Sequence, residues 1–221
     1  MPEKAAEELA KLGQKSLETA EKAGGWLDQT FGEGFRNLGG AFEDSMAGFR
    51  VRNRTRVLAK TQKAIQAAGL SGNTRPLDPR ISIPLLGAIS DESDENLQDV
   101  WATYIKNAVD PTKPNPDRII IDVVRRLEPS DWSAIKCLAE GSGGVKTPAD
   151  LGLSDDECEN VMDRLAVIGL FHYDDPRSAV LVGGDDYAGA LKVKIGDGSY
   201  YETKLFRRFV NSIGNVEAID V

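Results

Sequence analysis

The chain reads as mainly helical: an N-terminal helical arm and a small helical bundle, followed by a C-terminal winged helix-turn-helix-like module of α+β type. Three observations predict this. Apolar residues recur at steps of three and four from Phe31 to Leu127, the spacing of single helix faces. Helix starts are marked by Ser, Thr or Asp ahead of apolar runs, and stops by Gly and Pro. Beyond Leu170, short extended pieces separated by glycine turns replace that period.

Taken in order, Pro2 to Ala23 has the Ala, Glu, Lys and Leu content of a solvated helix, with Leu9, Leu12 and Leu17 as its sizeable apolar positions. Gly24-Gly25 interrupts it. From Trp26 to Phe49, Phe31, Phe35, Leu38, Phe42, Met46 and Phe49 share one helical face, although the interspersed glycines each lower intrinsic helix stability by up to ~1 kcal/mol relative to alanine. Arg50 to Ala68 continues helically with Val51, Leu58, Ile65 and Leu70 apolar, and Gly69, Gly72 and Asn73 end it. Pro76 and Pro79 remove backbone donors and favour extended geometry before them, so 75–80 reads as a linker. Ile81 to Ile89 is a short apolar segment, and Ser90 with Asp91, Glu92, Asp94 and Glu95 supplies a cap and acids suited to a helix N-terminus.

The helix that follows carries Leu97, Val100, Trp101, Tyr104, Ile105 and Val109 on one face, and Asp110-Pro111 stops it. Ile119, Ile120, Val123, Val124 and Leu127 form the next. Ser130 is read as the cap of a helix with Trp132, Ile135 and Leu138 inward. Thr147-Pro148 opens a short helix in cap-then-proline order. Ser154 and Glu157 have capping-box spacing before a third helix with Val161, Leu165 and Ile168, closed by Gly169. Extended pieces are expected at Leu170–Tyr173, Ala179–Val182, Leu191–Ile195 and Ser199–Tyr201, with a final helix over Thr203–Ile213. The expected divisions are 1–73 for the amphipathic N-terminal helices, 74–128 for the bundle core, 129–214 for the winged-helix-like module and 215–221 for a tail.

Composition narrows the function classes. The chain has 221 residues, 41% of them hydrophobic, and a formal charge of -8. That suits one medium domain or two small ones, and its acidity opposes general phosphate binding, which relies on Lys and Arg. Cys137 and Cys158 form neither a disulfide framework nor a metal-ligand set. They read as packing residues in a reducing compartment. Met1 to Lys22 has no apolar core segment of a secretory signal, and the longest uncharged run is about ten residues, short of a spanning helix. The expected location is cytoplasmic, or peripheral at the inner membrane.

The local exception to the acidity is the stretch after the aromatic stripe. Arg50, Arg52, Arg54, Arg56, Lys60 and Lys63 occur without one acid among them. Two readings stand side by side. The rings are core facing the helices of Trp101 and Ile120, with the bases paired to nearby acids. Alternatively Trp26, Phe31, Phe35, Phe42 and Phe49 pack on another subunit or an acyl boundary, while Arg50, Arg52, Arg54, Arg56 and Lys60 hold an acidic surface, each base near anionic headgroups contributing ~1 kcal/mol.

Catalytic signals are weak by comparison. There is no phosphate loop, nucleophile elbow or zinc spacing, and His172 is a lone histidine read as a strand residue. No catalytic, cofactor or metal residue is expected. In winged modules the third helix enters the major groove, yet here it would present Asp155, Asp156, Glu157 and Glu159, which repel phosphate. That placement of acids argues against nucleic acid as a partner.

Two segments carry a family resemblance. IPLLGAISDESDENLQDVWATYIKNAVDP, with its Leu- and Trp-bearing helix and Asn-Ala exit, and RIIIDVVRRLEPSDWSAIKCL, with its Leu-x-Pro-x-Asp step, resemble the bacterial abortive infection alpha family, and TKLFRRFVNSIG is similar to that family's closing helix. The resemblance extends from Phe31 to Ile213. It implies a bacterial protein of defence against bacteriophage with no assigned reaction. The expectation is therefore a non-enzymatic antiphage protein acting by protein–protein or peripheral membrane association; the alternative is a winged-helix transcriptional regulator.

Overall fold

A computed structural model describes residues 27, 30–32, 47–140, 144–174 and 191–214. They fall into two compact units, one drawn from Met1–Arg125 with Ser212–Val221 and the other from Arg126–Asn211.

The first unit is built on helices α1 (Ala47–Ala67), α2 (Pro79–Asp91), α3 (Glu95–Val109) and α4 (Arg118–Val124). Their starts are chemical. Asp78, Asp94 and Asp117 each accept a hydrogen bond from a first-turn amide, those of Arg80, Leu97 and Ile119, which satisfies donors that have no partner within the helix. Pro79 at the first position of α2 lacks the amide that would go unbonded there. Ser90, expected as a cap, instead lies inside α2 and donates its hydroxyl to the Leu86 carbonyl. Asp94 is the cap of α3.

Helix α3 is the centre of this core. Val100, Trp101, Ile105 and Val109 are fully buried on α3, which packs on α1 and α4, and α2 packs in turn on α1 and α4; Val57, Ile65, Leu85, Ile89, Ile120 and Val124 of those helices are buried as well. Burying an aliphatic side chain of this kind contributes about 1.5–3 kcal/mol. Trp101 meets Tyr104 edge-on at 6.4 Å, and the Tyr104 hydroxyl donates to the Asp117 carbonyl.

The boundary expected after residue 73 falls inside this unit. Arg75, read as linker, donates Nε to the Ala108 carbonyl at 2.8 Å and its remaining nitrogens to Lys113, Pro114 and Asn115. The Arg75 amide also bonds the Val109 carbonyl, and that of Leu77 bonds the Thr30 carbonyl at 3.0 Å. A segment anchored at both ends in this way is part of the core. The Asn-Ala exit of α3 has a comparable role: Asn107 Nδ2 donates to the carbonyls of Ser212 and Ile213, which belong to the same unit.

The second unit runs from Arg126 to Asn211. Helix α5 (Pro129–Glu140), a two-residue strand β1 (Val145–Lys146), a 3-10 turn (Pro148–Leu151) and α6 (Asp155–Ile168) lead into β2 (Phe171–Asp174), β3 (Lys192–Ile195), β4 (Gly198–Glu202) and α7 (Lys204–Ile213), whose last two residues are counted with the first unit. Among the described residues these strands form a sheet in the order β1-β3-β4-β2, with β1 parallel to β3 and the other pairs antiparallel. The strand expected at Ala179–Val182 lies outside the described residues.

Helix α6 starts with the anticipated box: Ser154 N–H and Oγ–H both donate to Glu157, and the Glu157 amide returns to Ser154 Oγ. Gly169 ends it at a φ of 93°, a conformation that disfavours any side chain. Thr203 Oγ donates to the Gly169 and Leu170 carbonyls, tying the start of α7 to the end of α6. Phe171 and Phe206, both buried, meet with ring centres 4.9 Å apart and planes tilted by 59°. On the sheet, Tyr173 lies over Gly198 so closely that an added Cβ would sit 2.8 Å from the ring. Ser130, expected as the cap, lies inside the first turn of α5, and the fully buried Asp131 of that turn reaches back to accept from the Glu128 amide at 2.9 Å.

Candidate functional site

Helix α1 carries twenty-one residues without an acid, so each base on it must find its counter-charge elsewhere. Some do. Arg50 Nε pairs with Asp91 Oδ1 at 2.8 Å, and Lys60 Nζ pairs with Asp99 at 2.6 Å while also donating to the Glu95 carbonyl. Arg54 is partly buried, and that burial holds its guanidinium below the ordinary value. These residues point toward the helices that α1 packs against.

Arg52, Arg56 and Lys63 differ. They are exposed and have no ion pair among the described residues. At 100° per residue the three fall within about 40° of one another and span about 16 Å of helix. Phe49, half-buried, lies one turn before Arg52 at the edge of the same stripe. The result is a ridge of three unneutralised cations beside an aromatic ring.

The aromatic half of the sequence-derived site divides. Phe31 is only 4% exposed, buried with Leu27 in the first unit, so its ring belongs to the core. Trp26, Phe35 and Phe42 lie outside the described residues. Lys63 was not among the candidate site residues. Its signal was the seven-residue step from Arg56, two turns along the same face.

Charged groups elsewhere have local explanations. Asp91 is held by Arg50, Glu92 accepts from the Asp94 amide, and Asp94 caps α3, so the acid cluster acts in capping and pairing. Asp131 is gripped by Arg164 at 2.7 Å, an ion pair the sequence did not disclose because its partners are 33 residues apart. Cys158 is buried, and desolvation with Asp155 nearby pushes its thiol up to about 11, away from nucleophilic character. Cys137, expected to pack, is exposed instead. No described helix is long and apolar enough to cross a membrane.

Residues 53–156 match the model of the abortive infection alpha family. The match starts within α1 and ends in the first turn of α6, narrower than the span over which the resemblance was read. It includes Arg56, Lys63, the α3 exit at Asn107 and the buried Asp131. No curated protein and no solved structure matches the chain. The matched segment thus takes in α2, α3, α4 and α5 with Arg56 and Lys63 of the ridge, while Phe49, Arg52 and the strands β2, β3 and β4 lie outside it.

Proposed function

We propose that this is a phage-defence protein of the abortive infection type that works by docking on an anionic surface through the Phe49, Arg52, Arg56 and Lys63 ridge, without a reaction of its own. The family match supports the defence role. The observation that carries the docking step is the alignment of three exposed, unpaired cations on an acid-free helix of a chain with charge -8. Three bases near an anionic bilayer contribute about 3 kcal/mol together. That is too little for firm attachment, so apolar burial of Phe49 at the acyl boundary adds to it.

The sequence supports the non-enzymatic reading through its lack of nucleophile, phosphate-loop and metal-ligand motifs. The rival is a winged-helix reader of nucleic acid, for which the order of α5, the 3-10 turn, α6 and the sheet speaks. Against it stands the exposed first turn of α6, with Asp155, Asp156 and Glu157, which would meet phosphates.

Flotation with vesicles containing phosphatidylglycerol, compared with neutral phosphatidylcholine vesicles, tests the proposal. Binding to the anionic vesicles that falls as salt rises, and disappears in Arg52→Glu/Arg56→Glu, is the expected result. Equal failure to float with either vesicle removes the membrane as the docking surface.

A further inference from the structure

A second cationic feature lies in the first unit, away from the ridge. The segment 75–81 and the turn before α4 enclose an open cleft of about 500 Å³ whose walls hold three arginines, Arg75, Arg80 and Arg118, and one aspartate, Asp78. Counting those residues, three positive charges less one negative leave the lining at +2, on a chain that is acidic as a whole.

The three arginines are not equivalent. Arg75 gives its hydrogen bonds to the carbonyls of Ala108, Lys113 and Pro114 and to Asn115 Oδ1. Those acceptors satisfy its N–H groups but carry no charge, so its positive field persists in the wall it shapes. Arg80 is held by Asp78 through contacts of 3.2 and 3.3 Å, which makes that pair locally neutral. Arg118 is exposed and has no ion pair among the described residues, leaving its guanidinium available. Apolar surface from Leu77, Ile81 and Pro116 completes the lining.

We propose that this cleft binds a small phosphate ester, with Arg118 as the direct contact, Arg75 as the fixed source of field, and the Ile81 and Pro116 surface under the organic part. The free guanidinium fork matches phosphate oxygens in bidentate fashion. The net charge favours a multiply charged anion over a monocarboxylate, and the volume falls in the range of small-ligand sites. The same chemistry describes a soluble phosphate ester and a phosphorylated lipid headgroup.

The test is calorimetric titration of the full chain with ADP, inorganic pyrophosphate and adenosine, followed by competition with phosphatidic acid vesicles. ADP and pyrophosphate bind, adenosine does not, and Arg118→Glu weakens both by about tenfold or more. Glutamate at the first position of α4 suits a helix N-terminus, so this variant keeps its fold, and Arg118→Lys restores part of the affinity. Arg52→Glu/Arg56→Glu leaves ADP binding unchanged, which separates this site from the docking ridge. Vesicles that displace ADP identify a lipid headgroup as the source, and vesicles that do not identify a soluble ester. Absence of binding by both phosphate compounds, or an equal loss in Arg118→Glu and in the ridge variant, overturns the proposal.

Discussion

Helices α1 and α6 each concentrate charge of one sign, and they do so for opposite reasons. The acids of α6 stand in its first turn, where the helix dipole favours them, and Glu157 closes a box with Ser154. Asp163, further along, accepts from the Tyr200 hydroxyl at 2.7 Å. The bases of α1 begin in its first turn, where the dipole opposes them, and continue through a helix with no acid to form pairs along its own surface. Arg50 and Lys60 find carboxylates on neighbouring helices; Arg52, Arg56 and Lys63 do not. Charge that local electrostatics rewards needs no external partner. Arg52, Arg56 and Lys63 have neither a terminal-turn position that the dipole favours nor a carboxylate among the described residues, and this is what singles out the α1 ridge.

If that contrast holds, charges with internal partners are costly to remove. Asp131→Ala leaves Arg164 beside an empty, buried position and frees the Glu128 amide, so chemical denaturation should show a loss of about 3 kcal/mol in the second unit. A loss below about 1 kcal/mol would put this pair among the weak surface bridges. A smaller effect is expected at the α6 cap: Ser154→Ala removes the acceptor for the Glu157 amide and lowers stability by about 1 kcal/mol. The same box has a pH signature. Its hydrogen bonds from Ser154 hold the Glu157 carboxyl below its ordinary value, so the stabilisation is present above the unfolded pKa and is lost as pH falls through the lower, folded one. The gap between thermal melts of wild type and Ser154→Ala should therefore narrow on acidification below about pH 4 without closing, because the Glu157 amide still donates to Ser154 Oγ.

The helices were legible where an apolar face and a cap coincided. Trp101, Tyr104 and Ile105 announce α3 by their spacing, and Ser154 with Glu157 marks the start of α6 within one residue. Helix α2 was harder. Asp78-Pro79 is a good start signal, but Leu85, Leu86, Ala88, Ile89 and Ser90 are all buried, so the amphipathic period was lost and only an apolar segment could be read. The boundary after residue 73 failed for a related reason: prolines near Arg75 look like a linker until its bonds to residues 108–115 are seen, and those arise only from tertiary packing. The candidate site was half legible. A run of bases is plain in the sequence, but which of them meet Asp91 and Asp99 depends on partners 39 to 41 residues away. Phe31 shared a helical stripe with Phe49, and periodicity alone could not tell a core ring from one at the edge of an exposed face.

The most direct measurement joins stability to protection in one variant. Arg52→Glu/Arg56→Glu/Lys63→Glu changes only exposed positions without ion pairs among the described residues, and should shift the melting temperature by no more than about 2 °C. In cells challenged with phage, at matched soluble expression, the account predicts that this variant loses the protection given by the wild-type chain. Protection retained in full by a folded triple variant would contradict it.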